Sequence, residues 1–180
     1  MEIPIITLLR NRRSIRQFDR RPVEKEKIDF LIEAMLRAPS SRSLNPWHFV
    51  VATNQDIIEK LSQSKAHGSK FMKNAPLAIA VCANPEKSDV CHHDTSIAAL
   101  ILHLTAADLG LGSCWVQIRL RDHAGGGSSE QYVKTLLGLE ENMVVEAIIA
   151  IGYPAEKKAG HNRSALLFDR VSYNRYGQKD

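Results

Sequence analysis

The segment from Asp89 to Leu109 constrains the fold more than any other stretch of the chain. It carries Ile97, Leu100, Ile101, Leu104 and Leu109 at helical spacing, with little charge after Asp94. A helix that is apolar around most of its circumference belongs in the middle of a core or at an interface between subunits. Short apolar runs flank it. Leu77 to Cys82, introduced by Pro76, reads as a buried strand, and Ser113 to Ile118, after the Gly110-Leu111-Gly112 turn, reads as another. Val144 to Ile151 is a further apolar strand, broken by Gly152-Tyr153-Pro154.

The rest of the chain alternates in the same way. Ile3 to Leu9 is a short apolar helix candidate. Ile28, Leu31, Ile32, Met35 and Leu36 recur at helical spacing until Ala38-Pro39 stops them, and Trp47 to Ala52 follows as a strand. Asn54 begins a helix to about Ser64, Lys70 to Lys73 reads as a covering turn, and Glu130 to Leu137 is a short helix closed by Gly138. Residues 119–129 are polar and contain Gly125-Gly126-Gly127, which predicts a mobile loop. They lack the lysine and the strand-to-helix setting of a phosphate loop. From Ala155 to Asp180 the sequence is polar and basic. With 180 residues, 44% of them hydrophobic, and no internal repeat, residues 1–180 are expected to form a single domain.

Several residue groups carry chemistry. Arg12-Arg13-Ser14-Ile15-Arg16 packs three guanidinium groups and a hydroxyl into five residues. Such a cluster is either a seat for a phosphate dianion, whose oxygens match the planar fork of guanidinium donors, or a solvated basic helix end. Residues 39–46, Pro-Ser-Ser-Arg-Ser-Leu-Asn-Pro, are either a surface turn or a ligand cradle. Cys91-His92-His93-Asp94 contains four potential metal ligands, but adjacent helical positions point about 100° apart and do not converge on one tetrahedral ion, so no metal site is expected. His103 is expected to be a packed interface histidine, Trp47 and Trp115 core residues, and Asp94 a group that solvates or caps its helix. Cys82, Cys91 and Cys114 lack paired spacing and read as reduced, buried thiols. A net charge of +4 with a pI near 9.0 suits an anionic ligand, and no basic run interleaved with aromatics supports nucleic-acid binding. Neither a secretory signal nor a membrane span is visible, which predicts a soluble cytoplasmic protein.

Taken in order, these motifs resemble the flavin-dependent nitroreductase family. Residues 12 to 16 match its Arg-Arg-Ser-x-Arg opening, and residues 39 to 49 match its Pro-Ser-x-x-x-x-x-Pro-Trp-x-Phe loop and strand. Residues 110 to 115 match its glycine turn and strand, and residues 151 to 154 its last core strand. The resemblance implies an α+β fold, with helices around a central, mostly antiparallel sheet, assembled as an intertwined homodimer with FMN at the interface. It implies that Arg12, Arg13, Ser14 and Arg16 hold the phosphate, ribityl chain and pyrimidine edge, and that Arg163 completes the phosphate site. Pro39, Ser40, Ser41, Ser43 and Asn45 would come from the partner chain, and backbone groups around Val116 and Gln117 would face the flavin ring near N5 and O4. The long helix would form the interface.

The implied activity is hydride transfer from NAD(P)H through flavin N5 to a nitroaromatic, quinone or related small-molecule acceptor. The ring carries the redox chemistry, so no side chain is required as acid, base or nucleophile for the hydride step. The alternative is a flavin-binding carrier or sensor with negligible turnover. The chain also departs from the family's pattern: Ser43 stands where asparagine is frequent, Asn45 where glutamine is frequent, Val116-Gln117-Ile118 where glycines are frequent, and Leu100-Ile101 where a Gln-Asn pair is common.

Overall fold

A computed structural model describes residues 4–179. Helices α1 (Pro4–Asn11), α2 (Lys25–Leu36), α3 (Gln55–Ser62), α4 (Cys91–Asp108) and α5 (Ser129–Leu137) surround four strands. These are β1 (Trp47–Ala52), β2 (Leu77–Ala83), β3 (Gly112–Gln117) and β4 (Val144–Gly152). The strands form one sheet in the order β1-β2-β4-β3, and every neighbouring pair is antiparallel.

The two central strands explain their own sequences. β2 and β4 are covered on both faces, so they read as nearly continuous apolar runs rather than alternating ones. On one face Leu77, Ile79, Val81, Ala147, Ile149 and Ile151 pack with Leu31 and Met35 of α2 and with Ala99, Leu102 and Ala106 of α4. On the other, Ala78, Ala80, Ile148 and Ala150 pack with Ile58 and Leu61 of α3 and Val133 of α5. The result is three layers, helix pair on sheet on helix pair.

Helix boundaries follow their caps. Asn54 is not the first residue of α3 but its cap, accepting from the N–H groups of Asp56 (2.9 Å) and Ile57 (3.2 Å). Ser128 caps α5 in the same way, through Gln131 N (3.1 Å). The first helix continues to Asn11, beyond the expected Leu9, while Ile3 lies outside the described residues. α4 starts at Cys91 rather than Asp89. The 119–129 loop is closed by a bridge between Asp122 and Ser128 and by stacking of His123 on Tyr132 at 4.4 Å.

α4 is apolar on both sides, as its sequence predicts, but the two sides differ in size. Ala98, Ala99 and Ala106 let it approach the sheet, while Ile97 and Leu100 point outward and are 40% and 52% exposed. The tail after Ala155 is not simply polar and basic. Leu166, Leu167, Phe168, Val171, Tyr173 and Tyr176 are all exposed on it. An isolated chain therefore displays two sets of large apolar side chains with nothing over them.

Candidate functional site

The arginine cluster is held along the free edge of β3. α1 ends with Arg12 N bonded to Leu8 O (2.8 Å), and the chain then runs extended. Ser14 makes a parallel bridge to Ser113, with Ile15 N bonded to Ser113 O (3.0 Å), and Phe18 bridges to Pro154. Ile15 and Phe18 anchor this segment in the core, leaving Arg12, Arg13 and Ser14 half-buried and Arg16 exposed over the Phe71 ring. Gly112 is required beneath it, since a Cβ there would lie 2.8 Å from the Ile15 side chain.

Residues 155–160 clasp the cluster from the other side. Ala155 N bonds Gln17 O (2.9 Å), and the Glu156 carboxylate accepts from the N–H groups of Arg16 (2.5 Å) and Gln17 (3.2 Å). These bonds, with Lys158, hold the Glu156 carboxyl below its usual range. Lys158 Nζ donates to Glu156 (2.9 Å) and to Ser14 O (3.0 Å), and the Arg13 guanidinium donates to Ala159 O. Gly160 then crosses the end of α1, where a Cβ would meet Arg10 O at 2.0 Å, so no other residue fits there. Glu156 and Lys158 were not predicted as site residues. Their only sequence signal is a place in a polar stretch, and contacts across 140 and 144 residues assign their roles.

Two of the guanidinium groups are left for a ligand. Among the described residues no carboxylate pairs with Arg12 or Arg16. Arg12 and Arg13, with Ser113, Leu111 and Lys158, line a cavity of about 440 Å³. Arg12, an uncompensated, half-buried cation in the wall of that cavity, favours an anion there. Arg163 is exposed in a turn at Arg163–Ala165, with its guanidinium 5.3 Å from the Phe168 ring, and the structure shows no contact between it and the cluster.

β3 contributes its edge. Because Ser113 turns its carbonyl outward to Ile15, strand alternation turns the N–H groups of Trp115 and Gln117 outward too, while Ile118 N turns inward to Glu146 O (3.1 Å). The Gln117 side chain is turned inward instead, accepting from Trp115 Nε1 (2.9 Å) and donating to the Glu146 carboxylate (3.0 Å). Val116 is buried on the opposite face, against α3 and α5. His103 faces the sheet of its own chain, not an interface as expected. Its Nδ1 lies 2.6 Å from Ser113 Oγ and its ring stacks on Trp115. Both indoles have a partner, Trp47 Nε1 donating to Met35 O (3.0 Å). All three cysteines are free and buried, and burial pushes the Cys82 thiol up to about 12.

Burial, with a smaller contribution from the Arg12 charge, lowers the His103 pKa from 6.5 to about 4. The unfolded chain therefore binds the proton first as pH falls. The stability this neutral imidazole contributes is full above pH 6.5 and is lost towards pH 4, by an amount of roughly 3 kcal/mol. Replacing His103 by Leu is expected to flatten that acid-side loss, measured by urea unfolding near pH 7 and near pH 4. An unchanged pH slope would show that His103 is not the titrating group.

The loop of residues 39–46 is built for rigidity. Arg42, Ser43 and Asn45 all take positive φ (52°, 55° and 47°), a conformation that non-glycine residues adopt only when held there. Ser40 Oγ bonds both the Asn45 side chain (2.6 Å) and Asn45 N (2.9 Å). Asp94 is not a solvating group: it is 3% exposed and accepts from Ser41 N (2.8 Å) and Ser88 Oγ (3.2 Å), tying the loop to the start of α4. Pro39, Ser43 and Asn45 remain exposed, and Ser40 and Ser41 half-exposed.

The two halves do not meet in one chain. The loop precedes β1 and the arginine cluster lies beyond β3, the opposite edge of the sheet. Strand spacing and register put Trp47, where the loop ends, and Ser113, where the cluster is bridged, about 14 Å apart across the sheet and about 20 Å apart along it, roughly 25 Å on the diagonal, with α4 crossing between. Among the described residues no three His, Cys, Asp or Glu side chains come together as a metal site. Nor is any helix there long and apolar enough to cross a membrane.

Comparison with known proteins agrees with this architecture. A solved structure described as an FMN-dependent nitroreductase from Clostridium difficile superimposes with a TM-score of 0.93. It has 42% identity to this chain, with 95% of this chain and 99% of that one covered. A protein of Archaeoglobus fulgidus provisionally named NADH dehydrogenase/NAD(P)H nitroreductase is 33% identical over 157 residues, 85% of this chain and 87% of that protein. One of Methanothermobacter thermautotrophicus with the same provisional name is 32% identical over 159 residues, 86% of this chain and 80% of that protein. Residues 9–68 and 59–153 match the sequence model of the nitroreductase family, and with the edge-bound arginine cluster and the three-layer fold this places the chain in that family.

Proposed function

We propose that residues 1–180 form a single FMN-binding domain of an NAD(P)H-dependent oxidoreductase that works as a homodimer. The observation that carries this reading is the pair of uncompensated arginines, Arg12 and Arg16, beside outward main-chain N–H groups on the β3 edge. The donor set fits FMN. Arg12, Arg13, Ser14 and Lys158 suit the phosphate and ribityl hydroxyls, and the N–H groups of Trp115 and Gln117 suit polar atoms on the rim of the ring. Arg163 follows Gly160, which crosses the end of α1, by three residues, and would complete the phosphate site from there.

When bound, FMN supplies hydride acceptance and donation at N5 of its ring. Arg16, exposed and without a carboxylate partner among the described residues, would stabilise negative charge on the pyrimidine edge of a reduced flavin held there. The second copy supplies Pro39, Ser40, Ser41, Ser43 and Asn45, because those residues lie too far from the cluster of their own chain. Their strained and fixed loop presents a pre-formed wall. The departures at Ser43 and Asn45 shorten reach there, so water-mediated contacts replace direct ones.

No Gly-x-Gly-x-x-Gly element follows a strand, so NAD(P)H has no separate dinucleotide site and shares the flavin face with the nitroaromatic or quinone acceptor. Initial-rate plots at several acceptor concentrations are therefore expected to be parallel. Intersecting lines would require both substrates at once and would defeat the shared-face account. Flavin absorbance in the purified protein without NAD(P)H oxidation, with or without a quinone, would favour a carrier or sensor instead.

A further inference from the structure

We infer that Glu146 is a positioning residue for the cofactor edge of β3 and that it acts through Gln117, an inference that rests on the FMN-binding reading above. Glu146 occupies a break in the ladder: Val81 pairs with Ala147 and Cys82 with Val145, which leaves Glu146 without a partner on β2. Such bulges redirect a side chain. Its carbonyl accepts from Ile118 N (3.1 Å) and Arg119 N (3.2 Å). Its carboxylate, with the side chain only 9% exposed, accepts from Gln117 Nε2 (3.0 Å) and His92 Nδ1 (2.9 Å).

These bonds fix orientations. An ionised carboxylate only accepts, so His92 carries a proton on Nδ1 and acts as the second clamp on Glu146. The Gln117 amide is saturated, because Nε2 also reaches Glu146 O (3.1 Å) and Arg119 O (3.3 Å) while Oε1 takes the Trp115 indole proton. Its carboxamide is thereby kept off the β3 edge, and the main-chain N–H of Gln117 is left as the group that faces the ligand. A charged acceptor buried this deeply is a strong lock. Without the carboxylate the carboxamide keeps only two longer main-chain acceptors and the Trp115 indole, a weaker hold from which it can turn outward and compete for the polar rim of the flavin.

The test uses the FMN-loaded protein. Glu146→Leu, Glu146→Gln and Glu146→Asp are each made in the wild-type and Gln117→Ala backgrounds. FMN affinity is read by fluorescence quenching, the visible band of the bound flavin by absorbance, and folding by circular dichroism. Glu146→Leu is expected to raise the FMN dissociation constant about tenfold or more and to move the visible band, but to change affinity less than about twofold when Gln117 is already Ala, the mark of coupled residues. Glu146→Gln keeps an acceptor for Gln117 Nε2 and is expected to stay within about threefold of wild type. Equal losses in both backgrounds would show that Glu146 acts on the fold and not through Gln117, and would overturn the inference alone. Should Glu146→Leu not fold, Glu146→Asp, one methylene short of Gln117, carries the same comparison with the same two outcomes. A folded wild-type protein that binds no FMN overturns the functional reading and this inference with it.

Discussion

Replacing Arg12 by Ala is expected to raise the FMN dissociation constant about 10- to 150-fold, the loss of a charge-assisted hydrogen bond of roughly 1.5–3 kcal/mol. Arg12 is half-buried and lacks a carboxylate partner among the described residues. Its removal therefore strands no buried anion, and the unloaded protein is expected to keep its unfolding free energy within about 0.5 kcal/mol. Arg16 differs in kind. It sits at the pyrimidine end in the proposed site, so Arg16→Ala is expected to lower the reduction potential of bound FMN, whereas Arg12→Ala shifts it much less because the phosphate keeps its charge. Fluorescence titration and a dye-linked reductive titration of both variants separate the two effects. Wild-type FMN affinity in both would reduce the cluster to a solvated basic turn.

A charge placed on the outer face of α4 is expected to abolish assembly and cofactor binding together. Leu100 is 52% exposed in the single chain, beside Ile97, and the tail adds Leu166, Leu167, Phe168 and Val171. A large aliphatic or aromatic side chain contributes about 1.5–3 kcal/mol when fully covered, and these six are about half covered already, so together they favour association by roughly 7 kcal/mol per chain before the entropic cost of pairing. In a two-fold dimer every substitution occurs twice. Leu100→Glu introduces two carboxylates that the interface must either desolvate or exclude, and a folded monomer is the expected product. That monomer is expected to lose FMN as well, since the loop of residues 39–46 lies roughly 25 Å from the cluster of its own chain and, in the proposed site, comes from a second copy. Sedimentation at micromolar concentration and below, with absorbance at the flavin band, measures both. A wild-type monomer that retains FMN, or a Leu100→Glu dimer, would sink this account.

Local sequence determined the elements. The apolar runs of β2 and β4, the helical spacing in α2 and α4, and the Pro39 and Gly138 stops are each decided by neighbours within one or two turns, and each is visible as periodicity or punctuation. The arginine cluster was legible for the same reason, as a concentration of one chemistry in a few residues. Tertiary structure decided the rest. Nothing near Asp94 in sequence shows that it fastens Ser41, and nothing near Glu156 shows that it caps Arg16. Glu146 reads as one polar residue in an apolar strand until the bulge brings His92 and Gln117 to it. A buried polar group must find partners wherever the fold puts them, and those partners are set by strand order and register, which no local pattern records. His103 was misplaced on an interface because a helix that is apolar all round does not reveal which side meets its own sheet. The alanines of α4 settled that, by letting the backbone approach on one side only.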